Sequence, residues 1–229
     1  MSKTEIRFRN DQTYFLKPHG MTSEIFENQI KTFRYAQIYE KYKRIKDENG
    51  VEKGKFPAVN IVFYKSIFDR CQVVSPENFF KEYLDFYKDQ FAVSGSQIKY
   101  NQSVFDYDAF EGRILRTYPS LIRDFDFYLL LCESHKFEQV IYSCSEDING
   151  KDIIIKHEGK ERKVSLFTDT NRSNFYKNIK NRFRHEYSDN EIQMPIDLNK
   201  ARKCGDFMLY SKKDINIIVE HFSFKKNSN

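Results

Sequence analysis

The chain has 229 residues, of which 40% are hydrophobic and 31% charged, with a formal net charge of +5. That length can bury a core without disulfide or metal staples, and the composition excludes wholesale disorder and collagen-like repeats. No apolar run approaches the roughly 18 residues that cross a bilayer. The first residues lack a signal peptide's apolar stretch, so the expected location is the cytoplasm, with no membrane partner. The positive balance permits a polyanionic partner without demanding one.

Aromatic residues reach 16% with no Trp, an enrichment expected of AT-rich coding rather than of selection for stacking on bases. The cysteines, Cys71, Cys132, Cys144 and Cys204, form no Cys-x-x-Cys pair, so reduced thiols are expected and a zinc site is not. The histidines are scattered as well, without His-Glu-x-x-His or His-x-His.

In chain order, residues 5–8 read as a short strand and residues 22–47 as one long helix, on the stripe of Ile30, Phe33 and Ala36. Residues 56–64 look like a strand or short buried segment. Ser75-Pro76-Glu77 is a helix start, with a capping hydroxyl, Pro at the first position and an acid in the first turn; that helix runs to about residue 89. Residues 92–103, around Ser94-Gly95-Ser96, are the best candidate boundary. Helices follow at 108–117 and 119–133, divided by Tyr118-Pro119. Strands are predicted at 139–143, 152–157 and 162–168, the last two joined by a hairpin at Glu158-Gly159-Lys160-Glu161. A helix at 173–184, a strand at 192–196, a segment at 207–210 and a last helix at 213–221 complete the chain.

The expected fold class is therefore α/β, a mixed central sheet flanked by helices. A mainly helical N-terminal region, 1–100, precedes an α/β region, 101–229, and the two pack as one unit. The helix–strand–strand–strand–helix–strand order, with Glu111 on the first helix and Asp152 opening the second strand, resembles the restriction-endonuclease-like, PD-(D/E)XK, superfamily over residues 105–185. The resemblance implies a nuclease-like core in which a helix Glu, a strand Asp and a Glu-x-Lys on the next strand hold a divalent metal. Glu111 and Asp152 would be the first two ligands, Mg²⁺ or Mn²⁺ the ion, and phosphodiester hydrolysis of DNA or RNA the activity. A bacterial defence or mobile-element setting is implied in the same way. Clustered carboxylates suit such hard cations, which activate water and neutralise the attacked phosphate.

The third motif departs from the pattern. The literal triplets Glu158-Gly159-Lys160 and Glu161-Arg162-Lys163 fall at the hairpin tip. With Gly159-Lys160 as the two-residue turn, Asp152 lies opposite Phe167, and Ser165, Phe167 and Asp169 share its face. Ser165 and Phe167 then stand where the family has Glu and Lys. Two readings stay open. The site has migrated, with Asp169 supplying the carboxylate and Lys177 the cation, or it is silent and the fold binds nucleic acid or a partner protein.

The 173–184 helix carries the second functional signal. Arg172, Lys177, Lys180, Arg182 and Arg184 are basic and no acid interrupts them. Lys177, Lys180 and Arg184 fall opposite an apolar arc of Phe175, Tyr176, Ile179 and Phe183, as a phosphate-tracking stripe requires. Arg113, Arg116 and Arg123 add charge near Pro119, with a salt bridge from Arg123 to Asp124 or Asp126 as the structural expectation.

Overall fold

The computed structural model describes residues 6–9, 12–15, 20–42, 48–143, 151–169 and 190–223. They mix helices and sheets, as the expected α/β class requires. Residues 1–25, 123–203 and 208–229 form one compact unit, and residues 26–122 with 204–207 form a second.

The first unit is built on a six-stranded sheet. Its strands are β1 (Ile6–Arg9), β2 (Gln12–Phe15), and, after the intervening helices and a three-stranded sheet, the run at 139–196. To keep one numbering, the second unit's strands are β3 (Phe91–Ser94), β4 (Gln97–Tyr100) and β5 (Ser103–Asp106), and the main sheet continues with β6 (Gln139–Ser143), β7 (Ile153–His157), β8 (Lys160–Thr168) and β9 (Glu191–Ile196). The sheet order is β1-β2-β6-β7-β8-β9. All neighbours are antiparallel except β8 and β9, which run parallel with Val164 beside Ile192. Ile153, Ile154 and Ile155 are all buried. Successive strand residues point to opposite faces, so this part of the sheet is covered on both sides. A short hairpin, β10 (Arg202–Cys204) and β11 (Phe207–Leu209), follows.

The helices are α1 (Ser23–Ile30), α2 (Tyr35–Tyr42), α3 (Val59–Arg70), α4 (Pro76–Phe86), α5 (Tyr107–Leu115), α6 (Tyr118–Glu133) and α7 (Lys212–Ser223), with a 3₁₀ turn at Glu48–Lys53. The helix expected over 22–47 is two helices where it is described. The chain closes after α1 with Thr32 N–H on Gln29 O and Phe33 N–H on Ile30 O. Residue 34 is an Arg and cannot accept a hydrogen bond, so α2 is capped from elsewhere: the Asp206 carboxylate accepts Ala36 N–H at 2.9 Å. Neighbouring Gly205 has φ +58°, and a Cβ there would lie 3.1 Å from the Lys31 Cα, so a side chain would be both strained and crowded.

The strand or buried segment expected over 56–64 is largely α3. That helix buries Asn60, Val62, Phe63, Tyr64, Ser66, Ile67 and Phe68. A helix buried around most of its girth has no 3.6-residue stripe, and its apolar run reads like a strand. The candidate boundary at 92–103 is the β3–β5 meander, with Ser94 paired to Gln97 across a turn where Gly95 has φ +58°. Gly marked a hairpin there, not a linker.

The aromatic enrichment is core. In the second unit, Tyr118 packs its ring 5.3 Å from Phe79 and 5.8 Å from Phe63, and Phe56 meets Phe110 edge-on at 4.7 Å. Three of the buried phenols donate to backbone carbonyls: Tyr35 on Leu115 O at 3.0 Å, Tyr83 on Pro57 O at 3.0 Å and Tyr118 on Val74 O at 2.5 Å. Burial pushes the pKa of all three hydroxyls far up. A phenol whose folded pKa is raised stabilises the fold fully below its unfolded value, about 10, and loses that contribution as pH climbs beyond it. Alkaline titration should therefore show a late fraction of the tyrosinate absorbance appearing only with loss of circular dichroism. Ionisation of all 15 tyrosines near pH 10 with the fold unchanged would contradict the packing.

Candidate functional site

The β7–β8 hairpin sets the geometry. His157 pairs with Lys160 and Ile153 with Val164, so the two-residue turn is Glu158-Gly159 rather than Gly159-Lys160. Both turn residues have positive φ, +49° and +69°, the signature of a type I′ turn. The register therefore moves by two residues. The ladder ends with Ile153 beside Val164, and the Asp152 N–H also reaches Val164 O at 2.9 Å, so Asp152 meets β8 next to Val164 and not at Phe167. Glu158 and Glu161 are exposed at the hairpin tip, and Glu161 pairs with Lys156 at 3.5 Å.

The expected site residues fall as follows. Asp152 is half-buried just before β7, and its Oδ2 accepts Leu166 N–H of β8 at 2.5 Å. Asp169 is exposed immediately after β8, its N–H donated to Ile196 O at 2.9 Å. Glu111 is on α5, a helix of the second unit. Its carboxylate accepts the Tyr42 hydroxyl in a short hydrogen bond, and that hydroxyl in turn accepts from Lys41 Nζ at 2.6 Å. Burial, reinforced by the bond to Glu111, pushes the Tyr42 pKa up. Arg172, Lys177, Lys180, Arg182 and Arg184 lie outside the described residues.

The helix that precedes the sheet is α6, and its acids are Asp124 and Asp126. Arg123 Nε lies 3.5 Å from Asp124, as expected from the sequence. Asp126, fully buried, takes Arg202 of β10 at 2.8 Å. The Tyr210 hydroxyl donates to Met194 O at 2.7 Å. Its pKa is pushed up first by burial and then by the charges of Asp124 and Asp152, with Arg123 opposing, so these groups share one neighbourhood.

Sequence reasoning missed the most connected cluster. Glu191, at the start of β9, receives Lys151 Nζ on Oε2. Its Oε1 receives Ser165 Oγ at 2.9 Å and Gln193 Nε2. Lys151 and Glu191 are partly buried, with side chains 12% and 9% exposed. Ser165 and Gln193 sit side by side across the parallel β8–β9 pair, which is what brings both to Glu191. The partners are 40 residues apart in the chain, and only the strand pairing joins them. Among the described residues, no group of three His, Cys, Asp or Glu side chains is placed to hold a metal ion. No protein-family model, no curated protein and no solved structure matches the chain.

Removing one partner of a buried ion pair leaves an uncompensated charge, which costs about 3–5 kcal/mol, whereas replacing both with apolar groups is often neutral. Lys151→Ala is expected to lower unfolding free energy by about 3 kcal/mol, and Lys151→Met/Glu191→Leu to recover most of it, as read by urea denaturation. Equal loss in the single and double variants would show that the pair is not what stabilises this corner.

Proposed function

We propose that the first unit is a nuclease-like sheet that binds nucleic acid without cleaving it. The observation that carries the reading is what β8 offers where it meets Asp152: Leu166 N–H binds the Asp152 carboxylate, while Glu158 and Glu161 of the literal triplets are exposed at the hairpin tip. The helix–three-strand–strand order, with an antiparallel β6-β7-β8 meander closed by parallel β9, supports the nuclease-like part. The carboxylates near Asp152 do not fit a divalent ion. Both Glu191 oxygens are engaged by Lys151, Ser165 and Gln193, and Asp124 and Asp126 each have an Arg partner. Mg²⁺ and Mn²⁺ want several carboxylate or carbonyl oxygens with free lone pairs.

The binding part rests on charge. The segment joining β8 to β9 contains Arg172, Lys177, Lys180, Arg182 and Arg184, and the acid-free stretch from 172 to 184 stands against a whole-chain net charge of only +5. Such a concentration of cations favours a polyanion through counterion release. The migrated, catalytic arrangement with Asp169 and Lys177 is the rival outcome.

Fluorescence titration of labelled DNA and RNA tests the reading. Binding is expected to weaken steeply with salt, to be unchanged by EDTA, and to leave the strand intact with Mg²⁺ or Mn²⁺. Lys177→Ala/Lys180→Ala/Arg184→Ala should lower both the affinity and the salt slope, the latter by up to about 3. Metal-dependent cleavage lost in Asp152→Ala would establish the rival. Equal affinity and slope in the triple variant would remove the basic segment from the account.

A further inference from the structure

The three-stranded sheet of the second unit has two edges that are not alike. At one, β5 is flanked by the Glu48–Lys53 turn and runs directly into α5. At the other, β3 is Phe91-Ala92-Val93-Ser94, and its contacts with described elements are chiefly those with β4. Edge strands are ordinarily kept from pairing by Lys, Pro or inward-pointing charge, and β3 carries none of these. Val93 stands in one row with Ile98 and Phe105, which are buried, yet it is itself 53% exposed. The core side of the sheet therefore ends in an uncovered β-branched side chain.

The backbone pattern sets what this edge offers. Gly95 has a positive φ at the first central position of the two-residue β3–β4 turn, the type II′ form, and such a turn closes on a hydrogen-bonded pair, Ser94 with Gln97. Bonded and open pairs alternate, so Ala92 bonds to β4 while the N–H and C=O groups of Phe91 and Val93 point outward. We propose that β3 is a self-association edge, at which two copies of the chain pair antiparallel about a two-fold axis at Ala92. In that register Phe91 of each copy exchanges both backbone hydrogen bonds with Val93 of the other, which engages the outward groups of both residues at once. The Phe91 ring then covers the exposed Val93 side chain, an aromatic–β-branched cross-strand pair. The strand supplies both halves of the contact, as a two-fold interface requires, and no like charges meet across the axis. An interface of one strand is small, so the dimer exchanges with monomer.

Sedimentation velocity of the full chain from about 10 μM to about 1 mM reads the association. Wild type is expected to sediment faster as concentration rises, and Val93→Lys to stay monomeric with unchanged circular dichroism. Disulfide trapping tests the register and does not depend on that variant. Ala92 is exposed on the opposite face of the strand, and facing residues of an open antiparallel pair lie about 4.5 Å apart between Cα atoms, within disulfide reach. In a glutathione redox buffer, Ala92→Cys is expected to form a covalent dimer faster than Val104→Cys on the other edge, with wild type and its four cysteines as the background. A chain that is monomeric at every concentration overturns the proposal. So does a dimer that Val93→Lys leaves intact, or Ala92→Cys cross-linking no faster than Val104→Cys. A monomeric chain that instead binds a synthetic Phe-Ala-Val-Ser peptide assigns the edge to an extended peptide and overturns the dimer as well.

Discussion

A carboxylate can be buried between strands only if something offsets its desolvation, and the polar corner of the first unit is organised around that requirement. Glu191 enters the sheet at the start of β9 and is met by Lys151 from the chain preceding β7. The parallel pairing of β8 with β9 then supplies Ser165 and Gln193 to the remaining oxygen. Arg123 with Asp124 and Arg202 with Asp126 repeat the device on α6. Glu191, Asp124 and Asp126 each have a counter-cation from their own unit.

The second unit solves burial differently. Its core is rich in Phe and Tyr rings, and the buried phenols of Tyr35, Tyr83 and Tyr118 donate to backbone carbonyls. A neutral phenol carries less desolvation cost than an ion, so no counter-charge is needed at those positions. Where this unit does use charge, as in Arg116 and Arg113 around Glu52, the groups lie nearer its surface, with side chains 14–32% exposed. Glu111 belongs to this pattern. Its carboxylate steadies the Tyr42 hydroxyl on α2.

Much of the element order was legible because its signals are local. The Ile-rich strand, the hairpin Gly and the apolar run of α6 lie in short windows where propensity and periodicity act. The failures have physical causes. The α3 segment lost its helical stripe through burial on most sides, and the α1–α2 break depends on an Asp cap about 170 residues away. The turn at Glu158-Gly159 was placed one residue too late because the positive φ of Glu158 is not visible in its residue type. That slip moved the cross-strand partners along β7 by two positions. The Lys151–Glu191 pair was not legible, since neither residue belongs to a motif and only strand order brings them together.

The central claim is that Lys151 is the counter-cation that lets Glu191 sit between the strands. Crystals grown in Mn²⁺ test it most directly, through the anomalous difference density at that carboxylate. The account predicts no anomalous peak there and an ordered Lys151 ammonium on Glu191. A peak coordinated by Glu191, with Lys151 swung away, would contradict it.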